Sequence, residues 1–167
     1  MPTVQSLLAN CAIESVDARI LLRHLCSTHL GWPRTYLITH HTDELPTTLI
    51  EHWHELLQKR LLGHPVAYLI GKKSFHDIEL QVNGHVLIPR PETELLVEFA
   101  ISHIESIFNS PNSFFTPASP MQCLDLGTGS GAIILALASY FKKIPDVFPC
   151  LNFFASDISL QAIDLAK

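Results

Sequence analysis

The chain has 167 residues, enough for one or two domains with a buried core. Hydrophobic residues make up 47% and charged residues 16%, which excludes a charge-rich disordered chain. The formal net charge is -5, so a direct grip on nucleic acid is not expected, and the expected partners are proteins or small molecules. Mean hydropathy is +0.24. Yet the longest aliphatic run, Ala132 to Ala138, is far short of the ~18–20 residues a membrane span needs. The first basic residue is Arg19, which does not fit a secretory leader. The expectation is a cytoplasmic chain whose cysteines, Cys11, Cys26, Cys123 and Cys150, are reduced core thiols, since none forms a Cys-x-x-Cys pair. No metal site is expected either. His52 and His54 sit two apart and would face different sides of a helix.

The first ~70 residues read as a small helical bundle. Val4, Leu7, Leu8 and Cys11 recur at helical spacing, and Asp17 opens a second helix that Gly31-Trp32-Pro33 stops. A short segment lies around Tyr36 to Ile38. Pro46-Thr47 opens the clearest helix, with Leu49, Ile50, Trp53, Leu56, Leu57 and Leu61 on one stripe and Gly63 at its end. Pro65 starts a further short run closed by Gly71. The period then changes. Ile78, Leu80 and Val82 alternate with polar residues, Asn83-Gly84 follows, then His85 to Ile88. An Asn-Gly pair between two such runs predicts a β-hairpin turning at Asn83-Gly84.

Pro89-Arg90-Pro91 is a stiff strap leading into a helix that begins with Glu92, Thr93 and Glu94. Leu95, Leu96, Phe99, Ala100, Ile104, Ile107 and Phe108 form its expected buried face. Asn109 to Pro120 reads as a loop. The last stretch reads as α/β: a strand over 121–126, the turn 127–131, an apolar helix over 132–141, and a second strand from Leu151 to Ala155. Ser159 is a fitting N-cap for a final helix.

The turn Gly127-Thr128-Gly129-Ser130-Gly131 carries the chemistry. A strand, a glycine-rich turn and a helix bring backbone N–H groups and a helix N-terminus to one point. Asp157, ending the next strand, stands where it can accept hydrogen bonds from ribose hydroxyls. Gly127-x-Gly129-x-x-Ala132 satisfies a loose dinucleotide fingerprint. Asp125-x-Gly127-x-Gly129-x-Gly131 equally suits S-adenosylmethionine, whose sulfonium and ammonium welcome an acidic residue before the turn that would repel a pyrophosphate. On the residues alone both ligands stay open.

At this point the sequence resembles the release-factor glutamine N5-methyltransferases, the HemK/PrmC type. The resemblance rests on 17–22 (Asp-Ala-Arg-Ile-Leu-Leu), the Arg60 to Gly71 segment, the Leu87 to Glu94 strap and the Asp125 to Ile133 stretch, in that order. It implies a Rossmann-like methyltransferase of α/β class: a helical release-factor-docking domain over 1–73, a hairpin linker over 74–88, and the first part of the S-adenosylmethionine domain over 89–167. It implies S-adenosylmethionine as methyl donor, bound by Asp125, Gly127, Thr128, Gly129, Ser130, Gly131 and Asp157. Pro89, Arg90, Pro91, Thr93 and Glu94 would border the active site. The implied substrate is the glutamine of the Gly-Gly-Gln motif in class I peptide chain release factors. The dinucleotide reading, an NAD-linked oxidoreductase, then requires these matches to be chance.

One departure is large. The family's Asn-Pro-Pro-Tyr motif, which holds the glutamine amide, occurs nowhere in the chain. An amide nitrogen is a poor nucleophile, so positioning supplies much of the catalysis. The expectation is therefore a chain truncated within the methyltransferase domain, with no catalytic residue of its own and inactive by itself. The alternative is a non-catalytic release-factor-binding module or remnant.

Overall fold

The computed structural model describes residues 2–167, and of Arg34 only the backbone. It divides into two compact units, Met1–Ile70 and Gly71–Lys167.

The first unit is helical. Helix α1 (Val4–Ala9) starts on a reciprocal cap: Ser6 N–H donates to Thr3 Oγ1 at 3.1 Å, and Thr3 N–H donates to Ser6 Oγ at 2.8 Å. Helix α2 (Ser15–Leu30) places Ala18, Leu21, Leu22, Leu25 and Cys26 on one face, the spacing of a single buried stripe. It ends at Gly31, whose φ of 66° is left-handed and costs glycine little. Helix α3 (Arg34–Thr39) is the short segment foreseen around Tyr36. Helix α4 (Thr47–Leu61) begins after Pro46, as its sequence predicts, and buries Leu49 and Trp53. Its predicted stripe runs one turn too far, because Leu61 lies exposed. Helix α5 (Val66–Ile70) follows Pro65. Val4, Leu45, Leu49 and Trp53 close the core against the α2 stripe. At the rim of that core Arg60 Nε donates to Asp17 Oδ2 at 2.7 Å, tying the end of α4 to the start of α2.

The second unit opens with a hairpin, but not where the Asn-Gly signal predicts it. Strands β1 (Lys72–Phe75) and β2 (Ile78–Gln81) pair antiparallel, and the two-residue turn between them is His76-Asp77. Asn83-Gly84 does turn the chain, with Asn83 Oδ1 accepting from His85 N–H at 2.9 Å. The segment beyond it forms no strand. Two physical reasons account for this. Val82 N–H already donates to Gly71 O, closing the earlier hairpin, and the 85–88 segment runs into Pro89, which has no N–H and restrains its predecessor. The hairpin contributes Phe75 and Leu80 to the core of this unit.

A short 3₁₀ turn (Pro91–Thr93) leads into helix α6 (Glu94–Phe108). Its buried stripe is Val97, Ile101 and Ile104, which shares Ile104 with the predicted face, and Ala100 and Phe108 pack beside it half-buried. Leu95, Leu96 and Phe99 are exposed. The helix is apolar on more than one side, so its neighbours rather than its own periodicity select the face. Strand β3 (Met121–Leu126), helix α7 (Ala132–Phe141) and strand β4 (Leu151–Ser156) form a βαβ unit, with β3 and β4 parallel and Leu126 opposite Ser156. A 3₁₀ turn over Phe148–Cys150 precedes β4. Helix α8 (Leu160–Ala166) is capped by Ser159, whose Oγ accepts from Ala162 N–H. One sheet face carries Met121, Cys123 and Phe153 against the core built on α6 and α7. The other presents Leu124, Leu126 and Phe154 to solvent.

Among the described residues no helix is long and apolar enough to cross a membrane.

Candidate functional site

The glycine-rich turn joins the end of β3 to the start of α7. Gly127, Gly129 and Gly131 have φ of 74°, 56° and 77°, a run of left-handed positions that side chains rarely accept. At Gly131 space adds a second constraint, since a Cβ there would lie 2.8 Å from Leu135 Cδ1. The parallel register brings the end of β4 alongside. Ser156 O accepts from both Gly127 N–H (2.8 Å) and Thr128 N–H (3.0 Å).

Two carboxylates hold the turn. Asp125 Oδ2 accepts from Thr128 Oγ1 at 2.7 Å. Asp157 bridges two backbone groups: Oδ1 accepts from Ser159 N–H and Oδ2 from Gly129 N–H, each at 2.9 Å. These N–H donors, Ser159 first and then Gly129, lower the Asp157 pKa from its ordinary value. Ser130 is buried at 3% exposure, and its Oγ finds no hydrogen-bond partner among the described residues. A buried hydroxyl left unpaired is costly. The first N–H groups of α7 open at the same point, where the helix dipole is positive.

The strap is held differently. Pro89 is buried and Arg90 and Pro91 are exposed. Thr93 N–H donates to Arg90 O at 3.0 Å, closing the 3₁₀ turn. Glu94 Oε1 accepts from His76 N–H at 3.1 Å, so the hairpin tip is fastened to the start of α6. The His76 ring lies between two carboxylates, with Nδ1 3.1 Å from Asp77 Oδ1 and Nε2 2.7 Å from Glu98 Oε1. Hydrogen bonds to Asp77 and then Glu98 raise its pKa. Asp77 in turn pairs with Lys143 and accepts from Ser139 Oγ at 3.2 Å. Lys143, then His76, lowers the Asp77 pKa to about 2.

The structure thus gathers Asp125, Gly127, Thr128, Gly129, Ser130, Gly131 and Asp157 in one place. Pro89, Arg90, Pro91, Thr93 and Glu94 form a second group. Among the described residues no hydrogen bond or ion pair joins the two. Their common support is α7. The glycine turn opens the helix, while Ser139, which meets the hairpin tip, lies eight residues along it, about 12 Å away. Sequence reasoning missed His76, Asp77 and the Ser156 carbonyl. An Asp just before the alternating run that starts at Ile78 was the available signal for the hairpin tip. The shared carbonyl depends on strand register and leaves no mark in the side chains. Among the described residues no group of His, Cys, Asp and Glu could hold a metal ion.

Residues 3–71 match the PrmC N-terminal domain. The chain is 40% identical over 165 residues to a release factor glutamine methyltransferase of Burkholderia pseudomallei, covering 99% of this chain and 50% of the relative. It is 38% identical over 166 residues to one of Aliivibrio fischeri, with the same coverage of 99% and 50%. It is also 37% identical over 163 residues to a bifunctional methyltransferase of Rickettsia prowazekii, covering 93% of this chain and 29% of that relative. The chain spans about half the length of the curated release factor glutamine methyltransferases it matches. Over the half of their length that it spans, then, the chain is similar in sequence to proteins named release factor glutamine methyltransferases.

Proposed function

We propose that residues 121–167 form the methyl-donor half of a release factor glutamine methyltransferase site, and that S-adenosylmethionine is the ligand of the glycine turn. The observation that carries this reading is the unpaired, buried Ser130 Oγ in a turn clasped by Asp125 and Asp157. Gly127, Gly129 and Gly131 would allow close main-chain approach. Asp125 would face the cationic methionine end. Each Asp157 oxygen accepts one N–H and keeps a lone pair for a ribose hydroxyl. When bound, the donor supplies an electrophilic methyl group. The chain's own residues fix its two ends and keep a carboxylate near its positive charge.

The substrate amide requires a separate cradle. The family's Asn-Pro-Pro-Tyr motif is absent from these 167 residues, and with it the groups that would aim a glutamine nitrogen. The 167 residues by themselves therefore bind the donor without transferring its methyl group, with the strap from Pro89 to Glu94 at the border of the site. The helical first unit would dock the class I release factor. A second reading, a release-factor-binding module without chemistry, draws on the closed core of that first unit.

Calorimetric titration of the full chain with S-adenosylmethionine and with NAD tests the donor assignment. Saturable binding of the former, lost in Asp157→Ala, is expected. Preference for NAD, or binding indifferent to Asp157, overturns it. Incubation with labelled S-adenosylmethionine and a Gly-Gly-Gln release factor is expected to leave the factor unlabelled. Methyl transfer by the 167-residue chain would refute the division of labour. Retention of the release factor by a chain that binds no donor would favour the second reading.

A further inference from the structure

The first unit contains a groove of about 560 Å³ between α1, α2 and α3. Its floor is aliphatic: Val4 and Leu8 from α1, Ile20 from α2, and Leu37 from α3. Ile38 stands beside them at 69% exposure, an apolar side chain with little of its surface covered. Arg19 and Arg23 line the groove from α2, and His41 lines it from the segment after α3. Among the described residues no carboxylate lines the groove, and neither guanidinium has an ion-pair or hydrogen-bond partner.

This concentration of positive charge sits in a chain of net charge -5, so it is not a consequence of general basicity. Arg19 and Arg23 are four residues apart on one helix face, about 6 Å along the axis. That spacing matches two carboxylates one turn apart on a facing helix. Each guanidinium is a planar fork suited to a carboxylate. An aliphatic floor beside such a pair matches the apolar stripe of that same helix. We propose that this groove binds an acidic amphipathic helix of a protein partner, its aliphatic side chains on Leu8, Ile20 and Ile38 and its carboxylates on Arg19 and Arg23. Single-stranded nucleic acid fits less well. Its bases need flat aromatic platforms, and no Trp, Tyr or Phe lines the groove among the described residues. The inference concerns the partner chemistry of the first unit and stands whether or not the second unit binds a methyl donor.

The probe is a labelled peptide that repeats Leu at helical spacing and carries Glu pairs four residues apart, titrated against the full chain. Saturable binding that weakens with salt is expected. Arg19→Gln with Arg23→Gln is expected to weaken it about tenfold, as is a peptide with Glu replaced by Gln. Ile38→Ser and a peptide with Leu replaced by Ser should weaken it through the apolar half of the contact. Arg19, Arg23 and Ile38 are exposed, so unchanged circular dichroism should accompany these losses. Absence of saturable binding overturns the proposal, as does equal affinity for the double arginine variant. Tighter binding of an oligouridine probe that competes with the peptide and is lost in the double arginine variant would assign the groove to nucleic acid and also overturn it.

Discussion

The two units solve the burial problem to different degrees. In the Met1–Ile70 unit the helices cover one another, and Trp53, Leu21, Leu22 and Leu49 are each exposed by 1% or less. In the Gly71–Lys167 unit a two-stranded parallel sheet is covered on one face, while Leu124, Leu126 and Phe154 stand 50% to 75% exposed on the other. A helix has one apolar stripe to hide and a single neighbour can hide it. A parallel sheet has two faces and needs a layer on each. The lesson is that burial is settled unit by unit and face by face. Both units hold a buried core, and only the second also bears a bare sheet face.

The sharpest way to break this contrast is Trp53→Ala. Removing that buried ring should cost about 3–5 kcal/mol. Urea unfolding would read the loss, and hydrogen exchange should place it in the helical unit, with the amides of β3 and β4 still protected. Loss of protection in both units together would show that they fold as one cooperative body and would erase the comparison.

Gly131→Ala probes the second unit where it is tightly made. The left-handed φ and the close approach to Leu135 should together cost about 1–3 kcal/mol and lower affinity for S-adenosylmethionine. Gly84→Ala, where nothing lies within 4 Å and φ is not left-handed, is the control and should be nearly silent. Equal effects at the two positions would remove the special standing of the turn.

A smaller effect is expected at the hairpin tip. Folding raises the His76 pKa above its ordinary 6.5, so its contribution to stability is full below that value and fades as pH rises through the folded value. Asp77 works at the other end. Its pKa is lowered to about 2, so its contribution is present above the ordinary 3.8 and is lost as pH falls toward 2. The tip should therefore be tightest in mildly acidic solution. Amide protection of β1 and β2, followed from pH 5 to pH 9, should decline on the alkaline side, and Glu98→Gln should lower the His76 titration midpoint seen by NMR. A flat profile would show that backbone pairing alone holds the hairpin.

Least of all should Leu124→Ser change stability, by about 0.5 kcal/mol or less, because that side chain is exposed. Its consequence lies elsewhere. The same change with Phe154→Ser should reduce binding of a hydrophobic dye and raise the concentration at which the chain aggregates, since both remove apolar area from the bare face. A large loss of stability instead would mean that this face is covered in solution.

Much of the first unit was legible in its residues. Gly31 ends α2 and Pro46 starts α4, because each of these features is local. The glycine turn was equally plain, since a run of left-handed positions can hardly be written without glycine. Where the reading went astray, two local signals competed. Asn83-Gly84 is the better turn dipeptide, yet the hairpin turns at His76-Asp77, where Glu94, Glu98, Ser139 and Lys143 gather around the tip from elsewhere in the chain. Helix α6 offered two apolar faces, and the packing of α7 and the hairpin chose the one through Val97 and Ile101.

By itself, then, the sequence determined the helices of the first unit, the βαβ order of the second, the glycine turn and the relationship to the methyltransferases. These are written in spacing and in residues with restricted backbones, which act over a few positions. Only the tertiary structure decided which face of α6 is buried, which turn closes the hairpin, that Asp157 clasps Gly129 and that Ser130 is left without a partner. Those outcomes depend on groups 18 to 66 residues apart meeting in space, and no local propensity carries that information.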